Sequence, residues 1–213
     1  MNKLLISGAL EDMSEVSPTA PPEISTGDVK YTDGPCSLIS MCERTKTVKI
    51  TLFGALSHVN DYRNVITVLH YVLSDWTVHI FIHSPGGTIS VACCIIMAMG
   101  RCKARVVTHN IGKAASCGSL ILAFGNKIHV EPYTITMFHN AGFGKFDSAS
   151  QMLTQTNHLI RNVGNMFSKM RDRGIITEDE ISSIVNRGDE LYFTSEEMER
   201  RLRAADIWYE GGE

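Results

Sequence analysis

The sequence predicts an α/β domain in which the strands of a parallel sheet alternate with helices. Segments of alternating apolar and polar residues, which are typical of strands, are followed by segments whose apolar residues recur at helical spacing. This alternation favours βαβ units, whose strands run parallel. With 213 residues, the chain is long enough for one domain with a sizeable core.

The first half of the domain contains three predicted strands and three predicted helices. The first strand is indicated by Val48, Ile50 and Leu52, which alternate with polar residues before the turn at Gly54. The strands are predicted at residues 47–53, 77–82 and 104–108. A helix follows each strand, at residues 59–73, 89–99 and 115–124. The second strand ends at a Ser-Pro-Gly-Gly sequence, which is a strong turn signal.

The second half contains two more predicted strands and three helices. Strands are predicted at residues 127–130 and 134–139, a long helix at 148–171 and a short last helix at 195–203. The long helix is expected because no proline interrupts it. Thr177, followed three residues later by Glu180, forms a capping-box pattern that begins the remaining helix.

Residues 1–46 are predicted to form a flexible N-terminal arm, and residues 47–213 the folded domain. Within the arm, residues 11–35 are rich in Ser, Thr, Pro, Gly and acidic residues and carry no hydrophobic period. The opening segment has one lysine and a very short apolar stretch before acidic residues follow, so we expect no signal peptide.

The composition argues against several classes of function. The formal net charge of -3 and the lack of a basic run disfavour a nucleic-acid partner. The longest apolar run, residues 91–99, is too short to cross a membrane, so no membrane partner is expected. The cysteines lack zinc-site spacing, so we expect no metal or other cofactor and a reducing, cytoplasmic location. These cysteines are Cys36, Cys42, Cys93, Cys94, Cys102 and Cys117.

Ser116 is the candidate nucleophile. It lies among the small residues of the sequence Gly-Lys-Ala-Ala-Ser-Cys-Gly-Ser, residues 112–119, between a predicted strand and a predicted helix. A serine at such a turn exposes its Oγ, and the helix N-terminus offers backbone N–H groups to an oxyanion. The alternative is that small residues only allow the helix to pack closely on the sheet.

His139 is the candidate general base. It ends an apolar strand and precedes the sequence Asn-Ala-Gly, so we expect it where the sheet opens into a loop. A neutral imidazole there can accept the serine proton, although a structural, hydrogen-bonded histidine is the alternative. The glycines of residues 84–87 allow close backbone approach, so the N–H groups of Gly87 and Cys117 would form an oxyanion hole. An ordinary turn is the alternative for this tetrapeptide.

These segments together resemble the ClpP family of serine peptidases. That family shows a strand ending in Ser-Pro-Gly-Gly, then a helix, then Gly-x-Ala-Ala-Ser-x-Gly, then a strand ending in the catalytic histidine. The corresponding segments here are residues 83–87, 112–118 and 137–139. The similarity extends over most of the chain, from about residue 47 to residue 209.

The resemblance implies a fold, an activity and a set of site residues. The implied fold is the α/β ClpP/crotonase-like fold of repeated ββα units, with a protruding handle at about residues 140–173. The implied activity is that of a serine endopeptidase with a Ser-His-acid triad in an oligomeric chamber. Carried over residue by residue, Ser116 is the nucleophile and His139 the base, and the oxyanion donors are the N–H groups of Gly87 and Cys117.

The acidic member of the triad follows from the register of the resemblance. In the family, an acidic residue precedes an aromatic–hydrophobic–Ser/Thr–x–x–Glu stretch, which resembles residues 192–197 here. A gapless count back from Tyr192 selects Glu190, whereas a slip of one residue selects Asp189. Either carboxylate could orient the imidazole and stabilise its protonated form.

The resemblance also implies assembly and partners. The helix predicted at residues 148–171 resembles the handle that joins two rings, and the alternative is a helix that packs on its own domain. The implied partners are polypeptide substrates, further copies of the chain in a heptamer or double heptamer, and an AAA+ unfoldase. The helix carries a sparse apolar stripe of Leu153, Leu159, Ile160, Val163, Met166 and Phe167.

Other interpretations stay open. The crotonase superfamily shares the fold and acts on acyl-CoA thioesters, but it does not require this serine and histidine. Signal-peptide-peptidase-like relatives use a Ser-Lys dyad, and Lys113 is near Ser116 in sequence. A catalytically inactive ring or assembly subunit is the non-enzymatic alternative. A phage head-maturation protease, which would process capsid or scaffold proteins, is an alternative role for the same fold.

Overall fold

The structure is a computed structural model that describes the backbone of residues 29–34, 37–140 and 149–211 and the side chains of residues 37–140 and 160–211. The strands in these residues are β1 (Val29–Gly34), β2 (Ser37–Cys42), β3 (Thr47–Phe53), β4 (Thr77–Ser84), β5 (Arg105–Ala115), β6 (Lys127–Val130), β7 (Ile135–Phe138) and β8 (Leu191–Thr194). The helices are α1 (Arg63–Tyr71), α2 (Ile89–Arg101), α3 (Cys117–Ala123), α4 (Ala149–Asp172), α5 (Glu178–Ser182) and α6 (Ser195–Ala204). A short 3-10 turn, Val59–Tyr62, precedes α1, and a π-helical turn, Ser183–Arg187, follows α5.

The described strands form one mixed sheet. Its order is β1-β2-β3-β4-β5-β7-β8, and β6 also pairs with β5. The strands from β3 to β7 pair in parallel, whereas β1, β2 and β8 run antiparallel to their neighbours. Because parallel strands point the same way, the carboxyl ends of β4, β5 and β7 meet at one edge of the sheet, which is where ligand sites of such sheets lie.

The core lies on one face of the sheet, under the helices. On β4, Val78, Ile80 and Ile82 are fully buried, while the residues between them are less so, as the two-residue period of a strand requires. Helix α1 contributes Val65 and Leu69, one turn apart, to the same buried cluster. Burying each such side chain stabilises the fold by roughly 1.5–3 kcal/mol.

The structure corrects the expectation of a flexible arm for part of residues 1–46. Strands β1 and β2 pair with each other, and β2 continues the sheet by pairing with β3. Ser37 and Ile39 are buried on β2. The segment was missed because it is short and follows a stretch rich in Pro and Gly. Residues 1–28 lie outside the described part of the chain.

The prediction of a purely parallel sheet was also incomplete. Strand β8 was not predicted, although it pairs antiparallel with β7. Strand β5 extends to Ala115, not to residue 108, because Asn110 holds it in place. The Asn110 side-chain amide donates to the carbonyl oxygen of Ile135 (3.0 Å) and to the hydroxyl of Thr136 (3.1 Å), and its side-chain oxygen accepts from the N–H of Gly112 (3.1 Å).

The long helix and the capping box were predicted correctly. Helix α4 differs from the predicted range by one residue at each end, and its residues Val163, Phe167 and Met170 are buried in the core. The N–H of Glu180 donates to the Thr177 hydroxyl (3.2 Å), and the N–H of Thr177 donates to the Glu180 carboxylate (2.8 Å). The handle segment at 141–148 and the side chains at 149–159 lie outside the described residues.

None of the described helices, α4 included, combines the length and the apolar composition needed to cross a membrane.

Candidate active site

Three loops meet at the carboxyl edge of the sheet. Ser84 ends β4 and begins the Ser-Pro-Gly-Gly sequence, Ser116 follows β5, and His139 follows β7. Ser84 pairs with Ala114 in the ladder between β4 and β5, and Ala115 pairs with Met137 in the ladder between β5 and β7. The two ladders therefore bring three segments that are distant in sequence to one place.

Ser116 has a strained backbone. Its φ is 54° and its ψ is -123°, a conformation that residues with a side chain rarely adopt. It lies directly between β5 and α3, and its N–H donates to the carbonyl oxygen of Met137 (2.9 Å). This sharp turn ends the strand and leaves the serine side chain half-buried at the mouth of the site.

Ser116 and His139 are in direct contact. The Ser116 Oγ lies 2.7 Å from the His139 Nε2. The serine hydroxyl can donate to this nitrogen when the imidazole carries its proton on Nδ1. The pair therefore has the distance that proton transfer from a serine to a base requires.

Ser119 connects the turn at Ser116 to the strand that leads to His139. It is fully buried on the first turn of α3, and its hydroxyl lies 2.7 Å from the carbonyl oxygens of both Ser116 and Met137. The first of these carbonyls belongs to Ser116 itself, and the second belongs to β7, which leads to His139. The contact fixes the two segments relative to each other.

The loop after β4 approaches Ser116 so closely that it needs glycine. A Cβ on Gly86, whose φ is 99°, would lie 2.5 Å from the Ser116 Cβ and 2.7 Å from the Ala115 carbonyl oxygen. The Ser84 hydroxyl donates to the Gly54 carbonyl oxygen (2.7 Å) and accepts from the N–H of Gly86 (3.1 Å). This buried serine, which sequence reasoning missed, anchors the loop to the end of β3.

Gly87 is held beside Leu56. The N–H of Leu56 donates to the Gly86 carbonyl oxygen (2.9 Å), and the N–H of Thr88 donates to the Leu56 carbonyl oxygen (2.7 Å). This bridge fixes the backbone on both sides of Gly87 but does not use the Gly87 N–H. A Cβ on Gly87 would lie 2.4 Å from the Leu56 carbonyl oxygen, so only glycine fits.

Cys117 links this loop to the start of α3. Its Sγ lies 3.0 Å from the Gly87 carbonyl oxygen, to which the thiol donates. The side chain is only 4% exposed, and burial raises the pKa of the Cys117 thiol, so the sulfur keeps its proton. The sequence suggested only a backbone part for this residue, and the hydrogen bond of its side chain was not foreseen.

The two candidate acids lie in different surroundings. Asp189 accepts hydrogen bonds from Ser183 (2.5 Å) and Arg187 (2.9 Å), which lower the pKa of its carboxyl group. Glu190 accepts a hydrogen bond from the hydroxyl of Tyr192 (2.7 Å). In the part of the chain that the structure describes, neither carboxylate makes a hydrogen bond to His139.

The register of β7 and β8 distinguishes the two acids. Met137 pairs with Tyr192 and Phe138 pairs with Leu191. The ladder ends there; continued by one residue, the same antiparallel register would set Glu190 opposite His139. Asp189 is one residue beyond this position and bonds instead to the π-helical turn. The continued register therefore favours Glu190 over Asp189 as the candidate acid.

The sequence leaves open a Ser-Lys dyad with Lys113 and predicts no metal site. Lys113 is exposed on β5, and the Ser116 hydroxyl contacts His139. Among the side chains that the structure describes, no cluster of His, Cys, Asp and Glu could hold a metal ion. The described cysteines are free thiols: Cys42, Cys93, Cys94, Cys102 and Cys117.

The fold and the site together define an α/β protein that holds a serine and a histidine in hydrogen-bond contact at the carboxyl edge of its sheet. The sequence model of the Clp protease family matches residues 38–200, which is well over half of the chain. The chain therefore belongs to the Clp protease family.

Curated relatives are similar over part of the chain. The ATP-dependent Clp protease proteolytic subunit of Chlorella vulgaris is 33% identical over 96 residues, which are 43% of this chain and 48% of the relative. The chloroplastic proteolytic subunit 3 of Arabidopsis thaliana is 32% identical over 124 residues, 55% of this chain and 39% of the relative. The subunit of Borreliella afzelii is 34% identical over 90 residues, which are 41% of this chain and 46% of the relative. In each alignment the chain spans less than half of the relative's length.

Proposed function

We propose that this protein is a serine endopeptidase in which Ser116 is the nucleophile and His139 the general base. The observation that carries the proposal is the 2.7 Å distance between the Ser116 Oγ and the His139 Nε2. Membership of the Clp protease family supports a peptidase. The strained turn at Ser116 and the close approach of Gly86 are further support, since both place backbone around the hydroxyl.

The reaction would proceed in two halves. Ser116 attacks the peptide carbonyl carbon while His139 takes the hydroxyl proton, and the negative charge moves to the carbonyl oxygen. His139 then gives the proton to the leaving amine as the C–N bond breaks, which leaves an acyl-enzyme. In the second half His139 removes a proton from water, the hydroxide attacks the ester, and the serine leaves with the proton.

The backbone N–H groups of Gly87 and Cys117 would stabilise the oxyanion. The Gly87 N–H is not used in the pairing with Leu56, and the Cys117 N–H is the first of α3. The hydrogen bond from the Cys117 thiol to the Gly87 carbonyl oxygen holds these two segments together. Preorganised donors of this kind are worth on the order of 10² to 10³ in rate each.

Glu190 is proposed as the third member of the triad. The β7–β8 register, continued by one residue beyond its last pair, favours it over Asp189, whose carboxylate already binds Ser183 and Arg187. The carboxylate would accept the proton on Nδ1 and stabilise the imidazolium that forms during the reaction.

Hydrolysis of a short fluorogenic peptide tests the proposal. Ser116→Ala and His139→Ala should each lower kcat/KM by a factor on the order of 10⁴ to 10⁶, because one removes the attacking hydroxyl and the other removes the base that accepts its proton. Ser90→Ala, at an exposed position on α2, is the matched control and should leave the rate unchanged. A Ser116→Ala protein with normal activity would overturn the assignment.

Assembly and partners are proposals that rest on the family. We propose a homo-oligomeric ring, a heptamer or double heptamer, with polypeptide substrates, an AAA+ unfoldase as partner and a cytoplasmic location. Ile160 on α4 is 40% exposed beside the buried Val163, which fits a helix with apolar surface left for another copy. Light scattering that gives the mass of a single chain would contradict the ring.

A further inference from the structure

Tyr192 and the proposed catalytic acid, Glu190, are exposed side chains in direct contact. The Tyr192 hydroxyl donates to the Glu190 Oε2 (2.7 Å). The two residues are two positions apart at the start of β8, so both side chains project from the same face of the sheet. Tyr192 is 60% exposed, so its ring is not part of the hydrophobic core.

The β7–β8 register, continued past its last pair, would place this hydrogen bond beside the candidate active site. Tyr192 pairs with Met137, and the ladder ends with the pair of Phe138 and Leu191. Continued by one residue, the same register would set Glu190 opposite His139. Directly opposed residues of antiparallel strands have Cβ atoms about 4.5–5.5 Å apart. On this continued register, the Tyr192 hydroxyl holds the carboxylate of the residue that would lie opposite His139.

An exposed glutamate needs such support. Its side chain has several rotatable bonds, and fixing a side chain of this kind costs conformational entropy. A tyrosine on a strand has few rotamers, so a hydrogen bond from its hydroxyl restricts the carboxylate. A carboxylate has two oxygens, and a donor on Oε2 leaves Oε1 as the acceptor for the His139 Nδ1.

We propose that Tyr192 is a positioning residue that holds the Glu190 carboxylate in reach of His139. The proposal rests on the proposed function, since it assigns Tyr192 a part only through Glu190. In this structure, which carries no substrate, Glu190 is bound to Tyr192 and not to His139. Catalytic hydrogen bonds of this kind often become short only when substrate binds. Its hydrogen bond to Glu190 raises the pKa of Tyr192, so the hydroxyl stays protonated as a donor at neutral pH.

A double-mutant cycle tests the proposal. The variants are Tyr192→Phe, Glu190→Gln and the two together, and Tyr133→Phe is the matched control because Tyr133 is 96% exposed. The measurements are kcat and KM for a short fluorogenic peptide and the rate of modification by a fluorophosphonate. Tyr192→Phe should lower kcat and the modification rate by about threefold to tenfold at unchanged KM, the loss expected for one hydrogen bond to a carboxylate.

The second substitution decides how Tyr192 acts. In the Glu190→Gln protein, Tyr192→Phe should have no further effect, because the residue acts through that carboxylate. Tyr133→Phe should match the wild type. An equal loss with and without Glu190, no loss beyond that of Tyr133→Phe, or a rise in kcat would each overturn the proposal. A rise would mean that the tyrosine withholds the carboxylate.

Failure of the inference can be told from failure of the proposed function. If the wild type hydrolyses the peptide and Ser116→Ala does not, the function stands, and the cycle alone decides the part of Tyr192. If the wild type is neither active nor modified, or Ser116→Ala behaves as the wild type, the function fails and the inference fails with it.

Discussion

Cys117 connects the two segments that carry the proposed oxyanion donors. Its thiol donates to the carbonyl oxygen of Gly87, while its own N–H begins α3. The side chain is buried, so water competes little for this hydrogen bond. A side chain next to the nucleophile thus sets the spacing of two backbone groups.

We expect Cys117→Ala to lower kcat by about threefold to tenfold, because the loop at Gly87 loses one hydrogen bond to α3 while both backbone donors remain. Cys117→Ser is the matched control and should retain most of the activity, since a hydroxyl can donate to the same carbonyl. Peptide hydrolysis measures both variants. Equal activity of Cys117→Ala and the wild type would show that the tether does not matter.

Individual site residues can be predicted from the sequence where their immediate neighbours distinguish them. Ser116 stands among small residues at a turn, and His139 ends an apolar strand, so both could be singled out without a structure. The contact between Tyr192 and Glu190 could not, because a tyrosine two residues after a glutamate occurs in many strands. The pairing of β8 with β7, which the sequence did not predict, is what relates this contact to the strand that leads to His139.

Among the elements, the loop after β4 shows how the backbone limits the choice of residue. Gly86 has a φ of 99°, and a Cβ there would collide with the Ser116 side chain. Leu56 and the Ser84 hydroxyl hold this loop from the other side, so it cannot easily move away. The turn at Ser116 and the loop at Gly86 can therefore pack together in only one arrangement.

Gly86→Ala should therefore lower kcat/KM by a factor on the order of a hundred, as expected when reacting groups are displaced by about 1 Å. The free energy of unfolding should also fall, by about 1–3 kcal/mol, since the backbone strain is retained and a clash is added. Gly100→Ala on α2 is the control: its Cβ would meet nothing within 4 Å, so activity should be unchanged. Normal activity of Gly86→Ala would contradict the described approach of the loop.

The elements that were missed share a physical cause. Strands β1, β2 and β8 pair antiparallel with their neighbours, whereas the alternation of strands and helices along the sequence indicates parallel pairing. The end of β5 was missed because Gly112 suggests a loop, whereas Asn110 fixes this segment by hydrogen bonds to β7. The helices α2 and α4 were predicted within two residues of their bounds, since periodicity alone defines them.

For the molecule as a whole, a histidine cluster on the sheet makes stability depend on pH. His109 is 6% exposed and stacks on Phe81, and its Nε2 lies 2.9 Å from the His79 Nδ1. Burial, with a smaller contribution from the charges of His79, His129 and Lys49, lowers the pKa of His109 to about 3. The folded protein thus keeps this imidazole neutral where a free histidine, of pKa about 6.5, binds a proton.

The free energy of unfolding should accordingly be unaffected by His109 above about pH 6.5 and fall as the pH drops from there towards about 3. The unfolded chain binds one more proton in this range, which gives a slope of up to about 1.4 kcal/mol per pH unit. His109→Phe, which keeps a ring against Phe81, should have a shallower slope in denaturant titrations at pH 7 and pH 5. Equal slopes for the two proteins would contradict the burial of a neutral imidazole.

The central claim is that the Ser116 hydroxyl, activated by His139, is the group that attacks the substrate. Reaction with a fluorophosphonate, followed by mass spectrometry of the digested protein, tests it most directly because the adduct marks the nucleophile itself. The account predicts one adduct on the peptide that contains Ser116, and none in Ser116→Ala. An adduct at another serine, or unchanged labelling of Ser116→Ala, would contradict it.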